Sequence, residues 1–204
     1  VRDVEVIGDP AIFLPPAESN RVDFDEDKIK IGINVACHFW SLYPQCLRRA
    51  IEAYVKACDY FVKHLDAEIV YLKHHPDEVL AAEQITKKVP IKLASTGLDP
   101  HEMKSLYTKL DLVIGMMMHS TVFAFGSEVP MVNVAYDFKN LNFMEFIGQE
   151  DRVIDVRKVN AERIRELAIE ALDSSVVIKR DFVTLKKKLW RAQQKFLKRI
   201  EGLR

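Results

Sequence analysis

One stretch limits what this chain can fold into more than any other: Asp111 to Gly148, DLVIGMMMHSTVFAFGSEVPMVNVAYDFKNLNFMEFIG. Asp111–Gly115 is a short apolar run of the kind that enters a buried sheet. Met116–His119 reads as the loop leaving it. Ser120 reads as the N-cap of a helix whose apolar side is Val122, Phe123 and Phe125. Pro130 breaks the chain, Met131–Ala135 is the next buried strand, and Tyr136-Asp137-Phe138-Lys139 is the loop after it. Two successive strand-to-helix loops therefore carry polar groups at the carboxyl ends of neighbouring strands, where open α/β sheets place their ligands.

The same alternation runs through the rest of the chain. Val4–Ile7 reads as a short strand or incoming segment, and Asp9 to Pro16 as a turn with one helical turn. Ile29–Val35 is a buried strand, followed by a loop carrying Cys37, His38, Phe39 and Trp40. Pro44 suits a first helical position, and the helix it opens runs to about Leu65 with Leu47, Ile51, Tyr54, Cys58 and Phe61 on one side. Glu68–Leu72 is a strand, and His74-His75-Pro76 leaves it for a helix running to about Lys88. Val89–Leu93 is a strand, Asp99-Pro100 starts a helix ending near Leu110, and Val153–Val156 is a last short strand. Asn160 caps a helix. Residues 176–204 form a final amphipathic helix with apolar residues at steps of three and four. Strands alternating with helices give right-handed βαβ units, so the expected fold is α/β, a Rossmann-like parallel sheet with helices on both faces, in one domain over 1–204.

Charge is neutral overall, with 30 basic and 30 acidic residues, but unevenly spread. From Phe182 onward eight basic residues face one acid, a net of +7, and the remainder is −7. The bland reading of the helix is a solvated basic face. Nucleic acid is not expected as a partner, since the acidic remainder would repel a polyanion. A weak attraction to an anionic membrane surface is compatible with the same charges. No apolar run approaches the ~20 residues needed to span a bilayer. Three cysteines, without metal-ligand spacing, fit a reducing compartment.

At Asp111–Gly148 the chain resembles the C-terminal domain of the polysaccharide pyruvyl transferase family. The matching residues are Gly115, Met116, His119, Ser120, Val129, Pro130, Tyr136, Asp137, Lys139 and Gly148, with Asp9-Pro10-Ala11 resembling the family's entry into the domain. Many fixed positions at fixed spacing over about 40 residues make a specific match. The resemblance implies one lobe of a glycosyltransferase-B-like pair, the C-terminal lobe of a protein about twice as long. It also implies a cytoplasmic location, at the inner face of the membrane if the basic helix reaches it. The donor would be phosphoenolpyruvate, with no further cofactor, and the acceptor a saccharide. One position departs: the family's arginine is Met117 here. Arginine forks onto carboxylate and phosphate, and methionine does not.

The residues themselves leave alternatives. His119, beside a helix start with the hydroxyls of Ser120 and Thr121, suits an anion and a proton transfer; a histidine bonded to backbone in a tight loop has the same pattern. The resemblance assigns it the catalytic role. Lys139 suits phosphate or is an exposed loop lysine. Tyr136 and Asp137 hold substrate hydroxyls or, for Asp137 preferably, cap the next helix. Asn34, near the end of the first buried strand, could reach the cleft, and Phe39 and Trp40 could stack on a sugar or pack on another lobe. Met116-Met117-Met118 is packing rather than a soft-metal box. His74, His75, Asp77 and Glu78 form no known closed metal set and read as a solvated strand exit, so no metal site is expected. There is no dinucleotide loop and no phosphate-cradling Gly-Lys-Ser/Thr. Three function classes remain: a pyruvyl transferase domain, a nucleotide-sugar-binding lobe, and a degenerate lobe used only for binding.

Overall fold

The computed structural model describes residues 6–18, 22–36, 44–94 and 97–202. Cys37, His38, Phe39 and Trp40 lie outside them, as do Val4 and Glu5 of the expected first segment. Six parallel strands, β1 (Ile29–Ile33), β2 (Ala67–Tyr71), β3 (Lys92–Leu93), β4 (Leu112–Gly115), β5 (Met131–Ala135) and β6 (Val153–Asp155), lie in the order β3-β2-β1-β4-β5-β6. The helices are α1 (Pro44–His64), α2 (Val79–Thr86), α3 (Pro100–Tyr107), α4 (Met118–Gly126), α5 (Phe138–Phe146), α6 (Ala161–Asp173) and α7 (Ser175–Glu201). The expected α/β, Rossmann-like sheet is thus present.

The strand order fixes the layers. Connections run outward from β1 through β2 to β3, then outward the other way from β4 through β5 to β6. Right-handed crossovers in opposite directions put their helices on opposite faces. α1 packs against α6 on one face, while α4 contacts α3, α5, α7 and the 3-10 turn Pro10–Phe13 on the other. β4 and β5 are buried throughout and β1 from Ile31 onward, and this is why they read as near-continuous apolar runs rather than alternating ones. The core includes Ile31, Ile33, Tyr54, Phe61, Tyr71, Val113, Phe125 and Met131.

Local chemistry sets the boundaries. Asp9 accepts from the Ala11 amide at 2.8 Å and caps the first turn. Asp99 and Glu102 form a reciprocal capping box on α3, and Asn160 accepts from the Arg163 amide at α6. β3 is shorter than expected, because Pro90 offers no N–H to a ladder and pairing begins only at Lys92. Along α7, Ile178, Phe182 and Leu189 are buried and Leu185 packs on the core, whereas Phe196, Leu197 and Ile200 are 40–47% exposed. Among the described residues, no helix is long and apolar enough to cross a membrane.

Beneath α4 lies a buried lysine. Lys104 is 3% exposed, its Nζ donates to the Ile12 and Phe123 carbonyls at 3.4 Å each, and it sits 5.7 Å from the Phe123 ring centroid. Burial first, then Lys186, pushes its pKa down to about 7. Gly126 lets this approach happen, since a Cβ there would overlap Lys104 Nζ.

Candidate functional site

The strand order reverses between β1 and β4, and at that point the chain leaving β4 makes a tight turn into α4. Three buried asparagines hold this turn. Asn133 on β5 donates to the Gly115 carbonyl at 3.0 Å, and Asn140 on α5 donates to the Met116 carbonyl at 2.8 Å. Asn34, at the end of β1, accepts from the Met117 amide at 2.9 Å. Ser120 Oγ closes the turn by donating to the Met117 carbonyl at 2.6 Å. Gly115 is required by this closeness, because a Cβ would overlap Ser120 Oγ.

This geometry corrects two expectations about the turn. Ser120 is not the N-cap: the helix begins two residues earlier, at Met118, with Met117 at the cap position. Ser120 and Thr121 are fully buried inside the helix, and their hydroxyls donate back to the Met117 and Met118 carbonyls at 2.6 Å each. A hydroxyl spent on the preceding turn is not directed at a ligand. Asn34 is likewise committed internally. Its Nδ2 donates to the Leu72 carbonyl and to Glu78 Oε2, both at 2.9 Å, while Oδ1 holds Met117. Asn34 therefore shapes the site from beneath it and does not face the cleft.

His119, by contrast, is exposed in the first turn of α4. The amides of Met118 and His119 belong to the first turn of α4, whose N–H groups have no intrahelical acceptors. Lys139 is exposed in the first turn of α5, on the neighbouring loop. Asp137 is that helix's cap, accepting from the Lys139 amide at 2.6 Å. Tyr136 is partly buried beside Met117, with its hydroxyl 3.8 Å from Met117 Sδ. Burial, then Asp137 and Glu78, pushes its pKa up to about 12, so it stays a neutral phenol. Beyond it, Tyr136, Phe138, Leu141, Asp155 and Arg157 line a cleft of about 230 Å³ at the ends of β5 and β6. Phe138 is 66% exposed there.

The strand exit after β2 is not simply solvated. His75 and Asp77 are exposed, but His74 turns inward: Nε2 lies 2.7 Å from the Tyr107 hydroxyl and the ring stacks on Phe123, centroids 5.9 Å apart at 21°. Burial, then the neighbouring His119, pushes the His74 pKa down to about 4. Glu78 is 1% exposed. Its Oε2 accepts from Asn34 and from the His74 amide at 2.8 Å, while Oε1 has no partner among the described residues. Burial raises the Glu78 pKa. The sequence hid these roles because Tyr107 is 33 residues from His74 and Asn34 is 44 from Glu78. The available signal was an asparagine in an otherwise apolar strand, at Asn34 and Asn133. No group of three or more metal-ligating side chains gathers among the described residues.

An α/β sheet with polar groups at its switch point has the architecture in which open α/β folds place ligands. A sequence model of polysaccharide pyruvyl transferase matches residues 1–138, and the chain belongs to that family. It is therefore a transferase-family domain. No curated protein matches it in sequence. Among solved structures, the glycotransferase of kitacinnamycin shares the fold with TM-score 0.58 at 17% identity, covering 86% of this chain and 43% of that one. A putative UDP-N-acetylglucosamine 2-epimerase from Listeria monocytogenes does so with TM-score 0.54 at 16% identity, covering 77% and 40%. The chain thus has the fold of one glycosyltransferase-B-like lobe and spans less than half the length of either neighbour.

Proposed function

We propose that this chain is the donor-binding lobe of an enzyme that moves pyruvyl from phosphoenolpyruvate to a sugar of a cell-surface polysaccharide or its precursor. The observation that supports this best is the arrangement at the switch point. His119 in the first turn of α4 and Lys139 in the first turn of α5 follow neighbouring parallel strands, β4 and β5, and both are exposed. A polyanionic donor suits a helix N-terminus and a lysine, and family membership points to pyruvyl transfer.

The chemistry needs a proton at the enol carbon of the donor. His119 is the group in reach of solvent and ligand that can carry it. A sugar hydroxyl then bonds to the adjacent carbon and phosphate leaves. A second hydroxyl of the same sugar closes the ketal. Of the two hydroxyl protons lost, one restores the imidazolium and the other leaves with phosphate or water. Helix amides and Lys139 offset the charge that gathers on the departing phosphate. Ser120 and Thr121 serve this site by holding the turn. Tyr136 and the exposed Phe138 offer a phenol and a ring face to the acceptor saccharide. No metal or cofactor enters the scheme. We place the enzyme in the cytoplasm, with α7 free to meet an anionic membrane surface.

Calorimetry tests the reading: phosphoenolpyruvate and inorganic phosphate should bind and compete, and His119→Gln should weaken both. Binding of a uridine-diphosphate sugar with none of phosphoenolpyruvate would instead support a nucleotide-sugar lobe. Met117, which lacks the arginine fork, is the observation that favours a third reading, a non-catalytic binding domain, and binding of neither ligand would support that.

A further inference from the structure

We propose that His74 is a second ligand-contacting histidine of this site, locked by Tyr107 as the Nδ1–H tautomer and presenting a neutral hydrogen-bond donor to an anionic oxygen of the ligand held at the α4 N-terminus. The inference rests on the donor-binding reading above, and it begins with a proton count. Tyr107 is fully buried, and its hydroxyl has one partner among the described residues, His74 Nε2 at 2.7 Å. Burial, then Glu78, raises the Tyr107 pKa, so the phenol keeps its proton. A buried hydroxyl must donate to something. The available acceptor is Nε2, so that nitrogen carries no hydrogen and the proton of the neutral ring sits on Nδ1.

Position supplies the second half. His119 and Phe123 are four residues apart and share a face of α4. His74 stacks on Phe123, and His119 lies near enough to disfavour a charge on His74. Nδ1 has no partner among the described residues, and His74 lines a cleft with Lys73, Pro76, Gly97 and Met103. Glu78 fixes the His74 backbone and, through Asn34, the Met117 amide, so one carboxylate oxygen sets both histidine-bearing segments. The pair then divides its work: the exposed His119 is the group the proposed reaction uses for its proton, and His74 offers a donor that stays neutral near pH 7.

The test uses the 204-residue chain with ¹⁵N-labelled histidine and phosphoenolpyruvate as probe. The ring couplings of His74 should show the Nδ1–H tautomer, and titration should move both the His74 Nδ1 and the His119 resonances. His74→Asn keeps a donor where Nδ1 stood and should hold affinity within about threefold. His74→Gln places its amide at the Nε2 position and should lose about tenfold or more, as expected for a hydrogen bond to a charged group. An Nε2–H tautomer, or equal losses in the two variants, overturns the proposal. If phosphoenolpyruvate moves His119 and leaves His74 unchanged, His74 is structural and the donor-binding reading stands. If neither moves, both fail together.

Discussion

Replacing Asn34 by alanine is the sharpest test of how this site is built. The side chain makes three buried hydrogen bonds, each 2.9 Å, to the Leu72 carbonyl, Glu78 Oε2 and the Met117 amide. A buried hydrogen bond contributes about 1 kcal/mol net, and leaving charged or buried partners unpaired adds to the loss. Three bonds plus a stranded Glu78 carboxylate give about 3–4 kcal/mol, which for a chain of 204 residues is roughly a 10 °C fall in Tm. Urea denaturation followed by circular dichroism reads it directly, with an unchanged m value. Asn34→Asp is the informative control. It keeps the acceptor for Met117 but sets a carboxylate against Glu78 Oε2, so the pair would share a proton with an apparent pKa raised above the unfolded value. Its stability should fall as pH rises above about 4. A loss below about 1 kcal/mol in Asn34→Ala, or an Asn34→Asp protein as stable as the parent across that range, would refute the idea that this asparagine holds the β4–α4 turn.

Other outcomes follow from the same geometry. Met117→Arg should tighten binding of phosphoenolpyruvate or phosphate about tenfold or more by restoring a bidentate fork beside Tyr136; unchanged affinity by calorimetry would mean that position 117 does not face the donor. Lys104 holds a pKa of about 7 in the fold against the ordinary lysine value of 10.5, so the unfolded chain binds more protons between those values and stability should rise as pH rises from about 7 to 10.5. Lys104→Met should flatten that slope and stabilise the protein near pH 6 by on the order of 1–3 kcal/mol, as chemical denaturation at several pH values would show. The exposed basic end of α7 should bind anionic vesicles weakly and duplex DNA scarcely at 0.15 M salt; tight, steeply salt-dependent DNA binding would overturn the reading of this helix.

Much of the fold was legible because its signals are local. Met131–Ala135 is a strand with the bounds its apolar run suggested, and the caps at Asp9, Asp99, Asp137 and Asn160 act within three residues. The misses are long-range. Ser120 has the composition of an N-cap, but Asn34 takes the Met117 amide from 83 residues away and starts the helix earlier. His74 was assigned to solvent because its partners Tyr107 and Phe123 arrive from other elements. Of the candidate site, the two loops and their exposed residues His119 and Lys139 were readable. The buried layer that holds them was not, since an asparagine in a strand declares that something polar is near it but not what.

That buried layer also weighs between an active lobe and a decayed one. Asn133 Oδ1, Asn140 Oδ1 and Glu78 Oε1 are buried without partners among the described residues, all around one turn. Each unsatisfied atom costs about 1–3 kcal/mol relative to a satisfied or apolar alternative. A domain used only as a scaffold gains nothing from polar groups in that position, and apolar residues there would make it more stable. Stability given up to fix the backbone of Gly115, Met116 and Met117 is explained when the amides and side chain that follow must be held at a set place for a ligand. On the proposed reading the missing arginine fork removes one grip on the donor, while the buried frame beneath the β4–α4 turn that carries His119 is intact.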